Sequence, residues 1–75
     1  MNIADILIHV PLDLSGDQRA RMEEDLSTYD GVVSVHFSRM MPHAVIVAYR
    51  PEAIRSRAIL ERVRQQDPAA TMAGL

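Results

Sequence analysis

Two short apolar segments in the middle of the chain decide the fold. Residues 32–37 read Val-Val-Ser-Val-His-Phe, and residues 44–49 read Ala-Val-Ile-Val-Ala-Tyr. Both are rich in β-branched residues and alternate with a period of two, which is typical of strands that bury one face. Val35 and Phe37 fall on one side of the first segment, and Val45, Val47 and Tyr49 on one side of the second. A loop at 38–43 joins the segments, so together they predict a β-hairpin.

A strand and a helix are predicted before this hairpin. Residues 3–10 alternate between apolar and polar side chains and predict a strand that Pro11 ends, since proline has no N–H to donate. Ser15-Gly16-Asp17-Gln18 matches a capping box, in which Ser15 and Gln18 satisfy two unpaired amides at a helix start. We expect this helix to end at Asp30-Gly31, where Gly31 suits a left-handed C-terminal position.

A second helix and a short strand are predicted after the hairpin. Pro51 favours a helix start, and the apolar side of this helix is expected to hold Ile54, Ala58, Ile59, Leu60 and Val63. Asp67-Pro68 ends the helix, residues 69–72 predict a short final strand, and Gly74 and Leu75 are expected to fray. The order βαββαβ predicts an α+β, ferredoxin-like sandwich. In it, two helices cover one face of a four-stranded antiparallel sheet, within a single domain at 1–75.

Composition excludes several classes of function. The chain has 75 residues and no cysteine, so thiolate metal sites, thiol nucleophiles and disulfides are excluded. A net charge of −2 gives no overall basic footprint for nucleic acid. The sequence shows no glycine-rich phosphate loop and no catalytic triad in a supporting context, so we expect no enzymatic activity. Without an apolar stretch of about 20 residues or a basic leader, the expected location is the cytoplasm, away from membranes.

The hairpin also carries a family resemblance. Gly31-Val32-Val33-Ser34-Val35, followed by Ala44-Val45-Ile46-Val47-Ala48-Tyr49-Arg50-Pro51, resembles the heavy-metal-associated (HMA) domains of copper chaperones and metal-pumping ATPases. This resemblance implies the same ferredoxin-like fold and a relation to metal-trafficking proteins. It also places the two cysteines of the family's CxxC metal motif on Ser15 and Gln18. Hydroxyl and amide groups are poor ligands for soft metals, so the expectation is a module without the thiolate site and without a cofactor.

A metal site of another kind remains an alternative. Candidate ligands are the imidazoles of His9, His36 and His43 and the thioethers of Met40 and Met41. Strand alternation puts His9 and His36 on the same sheet face, but the third strand is expected to separate them by roughly 10 Å. The competing interpretation is that the histidines are exposed and that the methionines form an apolar hairpin loop packed on the sheet edge.

The sheet face that the helices leave open is the main candidate for protein contact. It is expected to carry Leu7, His9, His36 and Ile46, with Ala44, Ala48 and Ser34, which is more apolar than a solvated surface needs. We expect a protein partner or self-association through this face, or contact through the loop at 11–18, with pairing along the edge strand at 33–38 as another route. A polyanion-binding role for the arginines of the second helix is a further alternative, although the face lacks the exposed aromatics of RNA-binding sheets.

Overall fold

A computed structural model describes residues 2–74 and confirms the predicted architecture. In chain order the elements are β1 (Ala4–His9), α1 (Gly16–Ser27), β2 (Val32–Phe37), β3 (Ala44–Tyr49), α2 (Ser56–Arg64) and β4 (Thr71–Gly74). The sheet is antiparallel, with strand order β2-β3-β1-β4. The expectation that Leu75 frays lies outside the described residues.

The core lies between the sheet and the two helices. β1 and β3 are central, and their alternation buries Ile6, Ile8, Val45 and Val47 almost completely. From the helices, buried side chains come from Met22 and Leu26 on α1 and from Ile59, Leu60 and Val63 on α2. Tyr49 and Phe37 face the core as the alternation predicts. Neither α1 nor α2 lies on the opposite face of the sheet.

Helix α1 begins as predicted and ends earlier than predicted. Ser15 is the N-cap, and the capping box with Gln18 is complete. The last helical residue is Ser27, with Thr28 as C-cap, so the expected end at Asp30-Gly31 is wrong by three residues. The hydroxyl of Thr28 donates to the carbonyl of Asp25 at 2.6 Å and helps to close the helix. Gly31 does have a positive φ of 97°, but it belongs to the turn that leads into β2.

Helix α2 does not begin at Pro51. The amides of Ala53 and Ile54 both donate to the carbonyl of Arg50, at 3.0 and 3.1 Å, which makes residues 50–54 a separate turn. The helix starts at Ser56, after an Arg55 that makes no side-chain cap. Ile54 therefore packs on the core from this turn. Ala58, expected on the apolar side, is exposed.

The final strand is displaced by two residues from the predicted position at 69–72. Residues 67–70 form a turn instead, closed by a 3.0 Å hydrogen bond from the amide of Ala70 to the carbonyl of Asp67. Aspartate at the first position and proline at the second are the residues that such turns favour. β4 then pairs with β1 from Thr71 opposite His9 to Gly74 opposite Ile6, so Gly74 lies in the ladder.

The edge strand β2 is irregular and partly covered. Its register against β3 shifts between Val32 and Ser34, where the extra residue Val33 forms a bulge and is 53% exposed. At the other end of β2, the amide of Phe37 donates to the carboxylate of Glu23 on α1 at 2.9 Å. Bulges and occupied edge amides both hinder the addition of another strand.

Candidate functional site

Three connections meet at one end of the sheet. β1 ends where β3 and β4 begin, as the pairing of His9 with Ala44 and Thr71 shows. The β1–α1 loop, the β2–β3 hairpin and the α2–β4 turn therefore lie together. We call this region the loop end, consisting of residues 10–15, 38–43 and 65–70. It contains Ser15, the first of the two positions to which the family resemblance assigns the metal motif, and the second, Gln18, follows in the first turn of α1.

The side chains of Ser15 and Gln18 serve the start of α1. The hydroxyl of Ser15 accepts from the amide of Gln18 at 3.1 Å, while the side-chain oxygen of Gln18 accepts from the amide of Ser15 at 2.8 Å. Each oxygen satisfies an amide that the helix geometry leaves without an intrahelical partner. The chemistry of this pair is therefore that of a helix cap.

A buried carboxylate fastens the β1–α1 loop to the opposite connection. Asp67 is 7% exposed, and its two oxygens accept from the amide of Leu12 at 2.8 Å and from the amide of Ala69 at 3.0 Å. The first bond joins the segment after β1 to the turn before β4. Sequence reasoning treated Asp67 only as a helix breaker. An Asp-Pro pair at the end of a helix was the available signal, because aspartate commonly bonds an amide two residues ahead.

Of the three histidines, the structure brings two together. The rings of His9 and His43 lie 6.1 Å apart in an edge-on arrangement. Nδ1 of His43 is 2.9 Å from the carbonyl oxygen of Val10, and Nε2 is 3.3 Å from a carboxylate oxygen of Asp13. His36 lies on β2, with β3 between it and β1, as predicted. Within residues 2–74, no three His, Cys, Asp or Glu side chains form a group that could hold a metal ion.

The methionines of the hairpin do not pack on the sheet edge. Met40 is 90% exposed and Met41 is 50% exposed, so the expectation of a packed apolar loop is wrong. The turn is instead held by polar contacts, since the amide of Met41 donates to the hydroxyl of Ser38 at 3.2 Å. The loop end therefore presents thioethers and Leu12, itself half exposed, to solvent.

The open face is the sheet surface opposite the helices. Residues that are paired on adjacent strands have side chains on the same face of the sheet. By this register, the residues of the open face are Asp5, Leu7 and His9 on β1, Ala44, Ile46 and Ala48 on β3, Ser34 and His36 on β2, and Thr71 and Ala73 on β4. Leu7 and Ile46 are directly paired at its centre and are half-buried. Ala44 has the predicted orientation but is only 3% exposed. The centre of the open face is therefore apolar, while its polar side chains lie around that centre.

On the other side of the sheet, an ion pair joins the two helices. Arg62 donates from Nε and Nη2 to the two carboxylate oxygens of Asp25, at 2.8 and 2.9 Å, and its guanidinium lies 5.6 Å from the ring centre of Tyr29. The hydrogen bond from Arg62 lowers the pKa of Asp25 below its usual value, and the pairing raises the pKa of Arg62. Arg64 donates to the carbonyl of Ala70 at 2.9 Å. Of the four arginines at positions 55, 57, 62 and 64, two are thus engaged in contacts inside the molecule.

A shallow depression of about 330 Å³ is lined by Arg21, Glu24, Asp25 and Thr28, all within one helix or its cap. Among the described residues, neither helix is long and apolar enough to cross a bilayer.

Comparisons with known proteins agree with the fold. No family model matches the chain, and no curated protein matches it in sequence. Among solved structures, the chain is similar to a copper-binding domain of HMA7, a P-type ATPase, with a TM-score of 0.74 and 17% identity over 96% of this chain and 93% of that one. It is also similar to oxidized MerP from Ralstonia metallidurans CH34, with a TM-score of 0.73 and 11% identity over 97% of each chain. These likenesses confirm, at the level of the fold, the resemblance to heavy-metal-associated domains, in a chain that contains no cysteine.

Proposed function

We propose that this chain is a non-enzymatic protein-interaction module, related to metal-trafficking domains, that contacts its partner through the open face. The observation that carries the proposal is the apolar centre of that face, where Leu7 pairs with Ile46 and neither α1 nor α2 covers the pair. Apolar groups gathered on a solvent-facing sheet are typical of a surface that another protein buries.

The chemistry at the start of α1 supports a role without a soft metal at that position. Ser15 and Gln18 use their side-chain oxygens to cap the helix. A metal ion at the same place would need soft or imidazole ligands and would compete with two backbone hydrogen bonds. The copper-binding domain of similar fold is therefore a guide to the scaffold of this chain, while the contact chemistry is proposed from its own residues.

The structure favours the open face over the edge strand as the contact surface. β2 carries a bulge at Val33, and Glu23 occupies the amide of Phe37. A partner strand could not form a regular ladder along such an edge. By contrast, the face needs no backbone pairing, because side chains alone would make the contact.

Photo-crosslinking in cells tests the use of this face. A photoreactive amino acid is placed at Ala48, on the open face, and as a matched control at Ala20, an exposed position on α1. We expect a discrete adduct from position 48 and none from position 20. The adduct should disappear when Ile46→Asp is combined with the probe, since a charge at the centre of the face resists burial. Equal labelling at both positions, or an adduct that survives Ile46→Asp, would overturn the proposal.

A calorimetric titration with Cu(I), Zn²⁺ and Co²⁺ tests the metal alternative. Its strongest support is the neighbouring pair His9 and His43, whereas His36 lies on β2, with β3 between it and His9. We expect no tight one-to-one binding by the monomer. Tight binding that is lost in a His9→Ala/His43→Ala variant with an unchanged circular-dichroism spectrum would establish the metal-carrier function instead.

A further inference from the structure

The open face has a symmetric arrangement along its central strands. On β1, Asp5 and His9 flank Leu7 at equal distances, two residues to each side, or roughly 7 Å. On β3, Ala48 and Ala44 flank Ile46 in the same way. Leu7 and Ile46 thus form a central row. On β3 an alanine lies on each side of this row, and on β1 a carboxylate lies on one side of it and an imidazole on the other.

We propose that the partner on the open face is a second copy of this chain, related by a two-fold axis that runs across the strands along the Leu7–Ile46 row. This inference rests on the proposed function and names its partner. Such an axis reverses the strand direction of one copy relative to the other, so each position two residues before Leu7 meets the position two residues after it. Asp5 of each copy then faces His9 of the other.

Charge complementarity supports this pairing. A carboxylate accepts a hydrogen bond from an imidazole N–H, and the two-fold axis makes the contact twice. Both side chains are exposed in the single chain and therefore available. The alternative axis, along the strands, would place Asp5 against Ala48 and leave the carboxylate without a partner. A face that complements itself in this way is what an isologous dimer requires.

Side-chain size supports close approach of the two copies. Under the same axis Ala48 faces the position of Ala44, which is only 3% exposed and adds little contact area, while Leu7 and Ile46 meet their own counterparts in the central row. The area indicates a weak dimer. Three strands of six residues and one of four, spaced about 4.8 Å apart with a rise of about 3.3 Å per residue, present roughly 350 Å² per copy, whereas standard interfaces bury at least about 1,200 Å² in total. Association should therefore depend on concentration.

Sedimentation equilibrium of the purified chain, from about 10 µM to about 1 mM, measures this association. We expect the average mass to rise from 8.4 kDa toward twice that value. His9→Glu should weaken association by at least about tenfold, because it sets two carboxylates opposite one another, and Asp5→Lys should weaken it as well, because it removes the acceptor of the imidazole N–H. The double variant Asp5→Lys/His9→Glu should restore it, since the introduced lysine then faces the introduced glutamate. Asp30→Lys, which changes a carboxylate that is 98% exposed away from the face, is the control and should have no effect.

The outcomes separate this inference from the proposed function. A mass of 8.4 kDa at every concentration, or a double variant as monomeric as the single ones, overturns the second-copy proposal. If the crosslink from Ala48 then still joins the chain to a different protein, the open face remains the contact surface. If that crosslink also fails, the proposed function falls with it. Circular dichroism of each variant shows whether a loss of association is a loss of folding.

Discussion

Replacing Asp67 by alanine should weaken the whole fold, although the residue lies in a turn. The substitution removes the acceptor for two amides, those of Leu12 and Ala69, in a place where the carboxylate is 7% exposed. A buried donor without a partner costs about 1–3 kcal/mol. Because both amides are only part-buried, water replaces some of what is lost, and we expect a total decrease of about 2–4 kcal/mol in the free energy of unfolding.

Urea denaturation followed by circular dichroism measures this decrease. For a domain of this size the expected loss corresponds to a melting temperature roughly 10–25 °C lower. Asp67→Asn keeps one acceptor and turns its NH₂ group toward the other amide, so it should lose about half as much. Asp30→Ala is the control, because that carboxylate is almost fully exposed. If Asp67→Ala is within about 0.5 kcal/mol of the parent, the bond from the turn to the β1–α1 loop is not a structural link and the reasoning fails.

Three further substitutions test separate parts of the structure. Gly31→Ala should destabilise the fold by about 2–3 kcal/mol in thermal melts, because φ is +97° and a Cβ would lie 2.8 Å from the Cβ of Ala53. The control Gly16→Ala, at a position with open space around it, should be neutral or slightly stabilising. Ser15→Cys/Gln18→Cys should create a site for one soft metal ion, visible as a thiolate-to-metal absorption band; no band on addition of Cd²⁺ would show that the two positions do not converge. Asp25→Asn should cost about 1 kcal/mol or less at neutral pH, since the ion pair is partly exposed. The folded-state pKa of Asp25 lies below 3.8, so its stabilising effect is complete above that value and is lost as the pH falls through the lowered pKa. The free energies of unfolding of the two proteins should therefore become equal in acid. A constant difference in these free energies down to pH 2 would contradict the assignment.

The fold was predictable because local and global signals agree. The alternating segments at 32–37 and 44–49 became β2 and β3 with the predicted bounds, and the capping box at Ser15 and Gln18 began α1 as predicted. In each case the structure depends on residues that are close in sequence: the strands on a two-residue alternation, and the helix start on hydrogen bonds between residues three positions apart. Such short-range patterns are visible in one sequence.

The errors lie where a distant contact or a local turn overrides a pattern. Pro51 suits a helix start, but the carbonyl of Arg50 accepts hydrogen bonds from two amides and forms a separate turn. Helix α2 therefore begins only at Ser56. The turn at Asp67 shifts β4 by two residues in the same way. Sequence reasoning also missed the bond from Leu12 to Asp67, because 55 residues separate the partners and no periodicity relates them.

Candidate sites were harder to predict than elements, because their members come from different strands and loops. Alternation assigned His9 and His36 to one face correctly, but it gave no sign that His43 would approach His9 from the hairpin. The exposure of Met40 was missed for a related reason. A loop has no period, so an apolar side chain within it does not reveal whether it packs or projects.

The thioethers of Met22 and Met40 differ strongly in their exposure to solvent, and this difference has a chemical consequence. Met22 lies in the core at 1% exposed, whereas Met40 projects almost entirely into solvent. A mild oxidant such as hydrogen peroxide should convert Met40 to its sulfoxide well before Met22, which stays reduced for as long as the chain stays folded. Peptide mass spectrometry can follow the accumulation of each sulfoxide. The rate at which Met22 is oxidised relative to Met40 would therefore report how often the core becomes exposed to solvent.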